Sequence, residues 1–213
     1  MSRPIFYDYF RSSAAFRVRV ALNLKGVDYE DRQVDLREDA QKADSYRELN
    51  PQGLVPMLEI DGQRLTQSLS IIVYLDQRFP EPALMPRDPA DGAHVRAMAL
   101  AVACDIHPLN NLRVLKYLKS ELGASQEDSD RWYAHWISEG LPAIEALARP
   151  RAGAFLFGDT PTVADICLVP QLYNARRFNV PLEGYPTLLR ADENAMKLDG
   201  FAAAHPDRQE VPA

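Results

Sequence analysis

Val55-Pro56-Met57-Leu58-Glu59-Ile60-Asp61-Gly62-Gln63-Arg64-Leu65-Thr66-Gln67-Ser68 is the stretch whose reading decides the fold. Apolar residues dominate its first run, Asp61-Gly62 interrupts it, and a second strand-like run follows. Asp-Gly readily takes the left-handed backbone of a two-residue hairpin, so the segment reads as two antiparallel strands. Residues 68–79 then repeat apolar positions at helical spacing. Pro56 opens the first strand after a loop. It marks either an edge-strand feature or a cis-proline that turns the preceding backbone outward. In the second case the Val55 amide and carbonyl could form a ladder with an extended peptide ligand.

Upstream, Ile5–Phe10 is aromatic and strand-like, and residues 12–25 carry a helical repeat with Gly26 at the position of a helix C-cap. Tyr29–Val34 reads as a second strand and Asp39–Leu49 as a short helix. The order is βαβ followed by αββα. Downstream, Pro80, Pro82, Pro86 and Pro89 crowd residues 80–92 and deny the chain backbone donors, which predicts a linker. Beyond it the period is helical over 91–122, 126–148, 162–177 and 187–203. Thr162 with Asp165 resembles a capping box, a folding device rather than chemistry. An α/β half and an all-helical half do not easily share one layered core. The expected organisation is a domain over 1–82, a linker over 83–91 and an all-helical domain over 92–213, with a ligand cleft between the domains.

Hydrophobic residues are 46% and charged residues 25% of the 213, a globular balance that excludes wholesale disorder. The net charge of -6 argues against nucleic acid as a partner. An acidic enzyme with an anionic substrate must concentrate positive charge locally, so arginines become the residues to find. Cys104 and Cys167 are far apart and fit neither a CxxC pair nor a metal site; both are expected to be buried packing residues. The N-terminal residues Met1-Ser2-Arg3-Pro4-Ile5 lack the apolar core of a signal peptide, and no run reaches the roughly 18 apolar residues of a membrane span. A cytoplasmic protein is expected.

Two segments sit where chemistry is possible. Arg11-Ser12-Ser13-Ala14-Ala15-Phe16-Arg17 lies between the first strand and the first helix. A helix N-terminus there favours an anion, and a serine hydroxyl can stabilise a thiolate. Ser is equally a common N-cap, and both readings stay open for Ser12. Gln67-Ser68 opens the next helix with the same two readings.

A βαβ–αββα half with Val-Pro before the third strand and Gln-Ser before the last helix resembles the thioredoxin-like domain of the glutathione transferases. The run Tyr9-Phe10-Arg11-Ser12-Ser13-x-x-x-Arg17-Val18-Arg19-Val20-Ala21-Leu22-x-Leu24-Lys25-Gly26 is similar to the zeta class in particular. So are Leu49-Asn50-Pro51, Gln67-Ser68-Leu69-x-Ile71-Ile72 and Asp165-Ile166-Cys167-Leu168-Val169-Pro170-Gln171, and the similarity spans nearly the whole chain. The resemblance implies a glutathione transferase fold with a C-terminal helical bundle, and glutathione as cofactor. Ser12 resembles the serine that activates the glutathione thiol. Ser13, Gln41, Val55, Gln67 and Ser68 fall at or near glutathione-contacting positions. Ile106–Arg113 resembles a segment that closes over glutathione. Asn111 matches a family position there, and His107 resembles the bacterial maleylpyruvate isomerase branch. Arg177 matches an arginine that reaches the active site, with Arg176 as a possible substitute and Arg11 and Arg113 as further carboxylate holders. One departure stands out: the zeta loop commonly reads Ser-Ser-Cys, and Ala14 replaces the cysteine here.

The activity implied is cis–trans isomerisation of a small dicarboxylic keto acid, maleylacetoacetate or maleylpyruvate, in aromatic-acid breakdown, without a metal. The attacking sulfur belongs to glutathione, so Ala14 does not remove the mechanism. Two rivals remain: a transferase that conjugates or dehalogenates small α-halo acids, and a non-catalytic thioredoxin-like binding module. A homodimer is expected from the resemblance alone.

Overall fold

The computed structural model describes residues 3–211, so Met1 and Ser2 of the N-terminal reading lie outside the described residues. The chain divides into two compact units, one formed by residues up to 83 together with those from 197 onward, the other by residues 84–196.

The first unit is built on a four-stranded sheet of order β2-β1-β3-β4. Strand β1 is Ile5–Asp8, followed by helix α1, Ser13–Leu24, and strand β2, Glu30–Gln33, which runs parallel to β1. Strands β3, Met57–Ile60, and β4, Gln63–Thr66, pair antiparallel in the register Ile60↔Gln63. Asp61 and Gly62 between them have φ of 51° and 74°, the left-handed pair that a tight hairpin turn requires. The expected hairpin is present. Side chains alternate across the sheet. Tyr7, Val34 and Met57 pack with Tyr46 on one face, while Phe6 and Leu58 are fully buried on the other. Helix α1 ends as predicted at Gly26, where Val27 N–H donates to Leu22 O and Gly26 N–H to Asn23 O, a two-bond C-cap.

The segment expected as one helix over 39–49 is divided. A 3-10 turn, Ala40–Lys42, and helix α2, Asp44–Arg47, are separated by an extended Ala43. Helix α3, Ser68–Arg78, closes the βαβ–αββα order.

In the second unit, helix α4 is Pro89–Leu100, so Pro89 is not linker. Its missing N–H costs nothing at a first helical position, and Asp88 caps the helix by accepting from Ala90 N–H and Asp91 N–H. The single helix expected over 91–122 is broken. A π-helical turn, Ala101–Ile106, leads to a 3-10 turn, His107–Asn110, and helix α5, Leu112–Ser120, starts after an extended Asn111. Pro108 explains the break, since it has no donor for the preceding turn and its ring crowds the backbone there. Cys104 lies in this π-helical turn and is exposed, which corrects its expected burial; Cys167 is buried as expected. Helices α6, Gln126–Ala148, and α7, Val163–Arg177, form the core of the unit, with Ile137, Leu141 and Ile144 buried at helical spacing along α6.

Thr162 and Asp165 do form a reciprocal capping box. The buried Asp165 carboxylate also accepts from Leu156 N–H at 2.9 Å, tying the preceding loop to α7. Burial pushes its carboxyl pKa up, and the amide donors that hold the charged form oppose this. Asp165→Ala leaves two buried amides without an acceptor and is expected to cost about 2–3 kcal/mol in urea unfolding.

The helix expected over 187–203 is also two. Helix α8, Pro186–Ala195, belongs to the second unit, while α9, Asp199–Ala204, returns to the first. The C-terminal segment therefore differs from its expected place in the all-helical domain. Contacts invisible in local sequence cause this: Arg19 Nε donates to Ala204 O at 3.0 Å and Asn23 Nδ2 to Gly200 O at 3.1 Å. Gly200 permits the approach, because a Cβ there would lie 2.8 Å from Leu24 Cδ2. Among the described residues no helix is long and apolar enough to cross a membrane.

Candidate active site

Ser12 is the N-cap of α1, in extended backbone, and its Oγ accepts from Ala15 N–H at 3.2 Å. Capping uses the oxygen as an acceptor and leaves the hydroxyl proton available for donation. The two readings of Ser12 are thus compatible. Ser13 is buried as the first residue of α1. Arg11 is exposed, its guanidinium 5.0 Å from the centre of the Phe10 ring.

The loop before β3 is held from beneath. Tyr46 Oη and Asn50 Nδ2 both donate to Leu54 O, at 2.7 and 2.6 Å. Val55 follows, and the Val55–Pro56 bond is cis. No hydrogen bond of the fold engages the Val55 amide or carbonyl among the described residues. Gln41 is buried in the 3-10 turn and donates to Asp39 Oδ1 at 3.2 Å, while its own Oε1 is buried without a partner.

Gln67 occupies the N-cap of α3 with φ of 67° and no side-chain cap bond. A side chain with a Cβ holds that backbone at a cost of about 1–3 kcal/mol, a strain concentrated where ligands bind. Its Nε2 donates to Gln52 Oε1 at 3.0 Å. Ser68 is the first residue of the helix rather than its cap, so its capping reading is corrected. Ser68 Oγ instead accepts from Arg17 Nη1 at 3.4 Å. The first unit therefore brings Ser12, Ser13, Gln41, Val55, Gln67 and Ser68 onto one thioredoxin-like frame.

In the second unit, Asn111 caps α5 by accepting from Arg113 N–H at 3.1 Å, and Arg113 is exposed. The preceding turn, which begins with the half-buried His107, is pinned to α6. Trp132 Nε1 donates to Leu109 O at 2.8 Å, and Asn110 Nδ2 to Tyr133 O at 3.1 Å. Tyr133 stacks on Phe178 with ring centres 3.6 Å apart. Burial pushes the Tyr133 phenol up to about 12, and the Arg177 charge nearby pulls the other way. Arg177 lies 5.8 and 5.7 Å from the Tyr173 and Phe178 ring centres and donates to Asn174 Oδ1 at 3.4 Å. Arg176 has a different role: its Nη2 pairs with buried Asp192 Oδ2 at 2.6 Å. The adjacent arginines are thus distinguished, one committed to an ion pair within the unit and one held, itself exposed, beside the half-buried rings of Tyr173 and Phe178. Among the described residues no group of three His, Cys, Asp or Glu is disposed to hold a metal.

The sequence reading missed Arg17, Gln52 and Tyr133. Arg17 carried a signal, since it and Arg19 are the two charges in an otherwise apolar helix. Tyr133 carried none, because its partners Asn110 and Phe178 are distant in sequence.

The chain matches the family described as Glutathione S-transferase, N-terminal domain, over residues 11–78 and Glutathione S-transferase, C-terminal domain, over 126–191. It is 49% identical over 208 residues to a maleylacetoacetate isomerase of Rhizobium meliloti, covering 97% of this chain and 98% of the relative. A solved bacterial maleyl pyruvate isomerase, described as a zeta-class glutathione S-transferase, superposes with a TM-score of 0.95 at 45% identity, over 98% of this chain and 100% of the other. A maleylacetoacetate isomerase from Anaeromyxobacter dehalogenans, solved with glutathione bound in its active site, superposes with a TM-score of 0.87 at 47% identity, over 98% of each chain. With its βαβ–αββα unit, its helical unit and relatives that match from end to end, the chain belongs to the glutathione S-transferase family, in the zeta class that holds the maleylacetoacetate and maleylpyruvate isomerases.

Proposed function

We propose that this chain is a glutathione-dependent cis–trans isomerase of a maleyl keto acid, maleylacetoacetate or maleylpyruvate. The observation that carries the reading is Ser12, whose Oγ caps α1 while its proton stays unspent. The first unit fits glutathione: the Val55 backbone groups lie outside the sheet ladder, α3 has no side-chain cap, and Gln41 offers a buried acceptor. Val55 would pair with the cysteinyl part, Gln67 and Ser68 would hold the γ-glutamyl carboxylate, and Ser13, Gln41, His107 and Asn111 would complete the binding set. When bound, glutathione supplies a thiolate that adds to the cis double bond, makes it single so that it can rotate, and leaves again unconsumed.

This chain's residues do the rest. Ser12 would donate a hydrogen bond from its hydroxyl to the sulfur and so stabilise the thiolate, and the N-terminus of α1 adds its positive field. Arg177, with Arg113 and Arg11, holds the substrate carboxylates and the charge that develops on the keto oxygen. The Asp192 pairing removes Arg176 from that set. The reading carries with it a homodimer, as in the resembling class, and a cytoplasmic setting, where reduced glutathione is maintained.

Arg177→Ala is expected to lower kcat/KM for the dianion about 30-fold, the worth of a charge-assisted hydrogen bond, and to leave glutathione affinity within about twofold. Equal losses in both would remove Arg177 from substrate binding. Thiol titration tests the reaction class. Free glutathione should stay constant while a maleyl acid is converted; its stoichiometric loss, or its loss only with α-halo acids, would replace the isomerase with a conjugating or dehalogenating transferase.

A further inference from the structure

Two arginines on α1 differ in one decisive respect. Arg19 is buried with full compensation. Its Nη1 lies 2.7 and 2.6 Å from the two oxygens of Asp8, and its other donors reach Ala204 O and Phe10 O. Arg17, about 200° around the helix, is 2% exposed and has no such partner. Its Nε and Nη2 are buried without a hydrogen-bond acceptor, and no carboxylate of the described residues pairs with it. Its single bond is the long one from Nη1 to Ser68 Oγ, 3.4 Å.

A guanidinium is always charged and can only donate. Ser68 Oγ must therefore accept from it, and the Ser68 proton must point to something else. That hydroxyl stands at the first position of α3, a helix of 11 residues whose N-cap, Gln67, gives the first-turn amides no side-chain acceptor. A hydroxyl proton and first-turn amides without a side-chain acceptor thus meet a buried uncompensated cation at one helix end. A buried charge left unpaired is a standing cost to the fold, and an arriving anion relieves it.

We propose that Arg17 is a positioning residue for the carboxylate of an α-amino acid group at the N-terminus of α3: it fixes Ser68 as a donor and supplies the buried counter-charge. The assignment rests on the glutathione reading above, in which that group is the γ-glutamyl end. It makes recognition of the carboxylate, rather than of the peptide as a whole, the source of selectivity at this end. It also makes the residue costly to the unliganded fold.

The test uses the full chain, calorimetric titration and two probes: glutathione, and its analogue with 4-aminobutyrate in place of γ-glutamate, which lacks only that carboxylate. Native protein should bind glutathione more tightly than the analogue. Arg17→Met should weaken glutathione about tenfold, with analogue affinity within about twofold, so that most of the discrimination disappears. In a Ser68→Ala background, Arg17→Met should cost less than in the native background, since the part of its effect that passes through Ser68 is already lost and only the counter-charge remains to be removed. The unliganded Arg17→Met protein should unfold in denaturant at the same midpoint as the native protein or a higher one. A merely structural arginine gives the opposite pattern: a lower midpoint or failure to fold, with both ligands weakened alike, and any of these overturns the proposal. Native protein that binds glutathione and analogue equally well also overturns it and leaves the glutathione reading standing. Native protein that binds neither removes that reading, and the proposal with it.

Discussion

Asp8→Ala is expected to cost the first unit about 3–5 kcal/mol, the range for stranding one member of a buried ion pair. Asp8 and Arg19 are at 0% and 1% side-chain exposure, so no water replaces the lost carboxylate. Burial pushes the Asp8 carboxyl pKa up, and the doubly bonded guanidinium pulls it back. Removing the aspartate leaves Arg19 with the Phe10 and Ala204 carbonyls and the face of the Phe16 ring, and no counter-charge. Because the Ala204 bond anchors α9 on α1, hydrogen exchange should rise first in residues 199–204. An apolar pair, Asp8→Leu with Arg19→Met, should recover most of the loss in the same denaturant titration, since the charge is then absent rather than unpaired. A loss below about 1 kcal/mol for Asp8→Ala would mean that solvent reaches Arg19, contrary to the packing described.

Ser12→Ala is expected to lower kcat by about 10²–10³-fold, the usual effect of deleting one donor aimed at developing or stabilised negative charge. It should also raise the pKa of the bound glutathione thiol, read by the thiolate absorbance against pH. The cap lost with Ser12 Oγ complicates the variant, since Ala at an N-cap costs roughly 1 kcal/mol of stability. Ser12→Gly separates the effects: glycine is tolerated at the cap within a few tenths of a kcal/mol, yet offers no hydroxyl. Equal kcat losses in the two variants, with stability reduced mainly in Ser12→Ala, assign the effect to the proton. A Ser12→Gly enzyme of native kcat would reduce Ser12 to a cap.

Local signals made much of this fold legible. The Asp61-Gly62 turn, the Gly26 cap and the Thr162–Asp165 box each depend on residues within a few positions of one another, so their chemistry can be read in order along the chain. The break at Pro108 was equally local, but the continuous apolar repeat on either side masked it, and the exposure of Cys104 in the π-helical turn went unread with it. The attachment of residues from 197 onward to the first unit was not legible, because it depends on Arg19 and Asn23 reaching backbone carbonyls about 180 positions away in sequence. The site divides in the same way. Ser12 and Ser68 could be placed at helix starts from sequence, but only the fold shows that one is a cap and the other is not. Arg176 and Arg177 could not be ranked until Asp192 was seen to hold the first. The burial of Arg17 beneath Ser68 is a tertiary fact as well, arising from the packing of α1 on α3.

The central claim meets its most direct test in an ultraviolet assay of the purified chain with maleylpyruvate and with maleylacetoacetate, each with and without a catalytic amount of glutathione. Conversion to the fumaryl isomer only when glutathione is present, through many turnovers per glutathione, is the predicted result, and the faster of the two names the substrate. No conversion of either compound, in protein that binds glutathione, would contradict the isomerase.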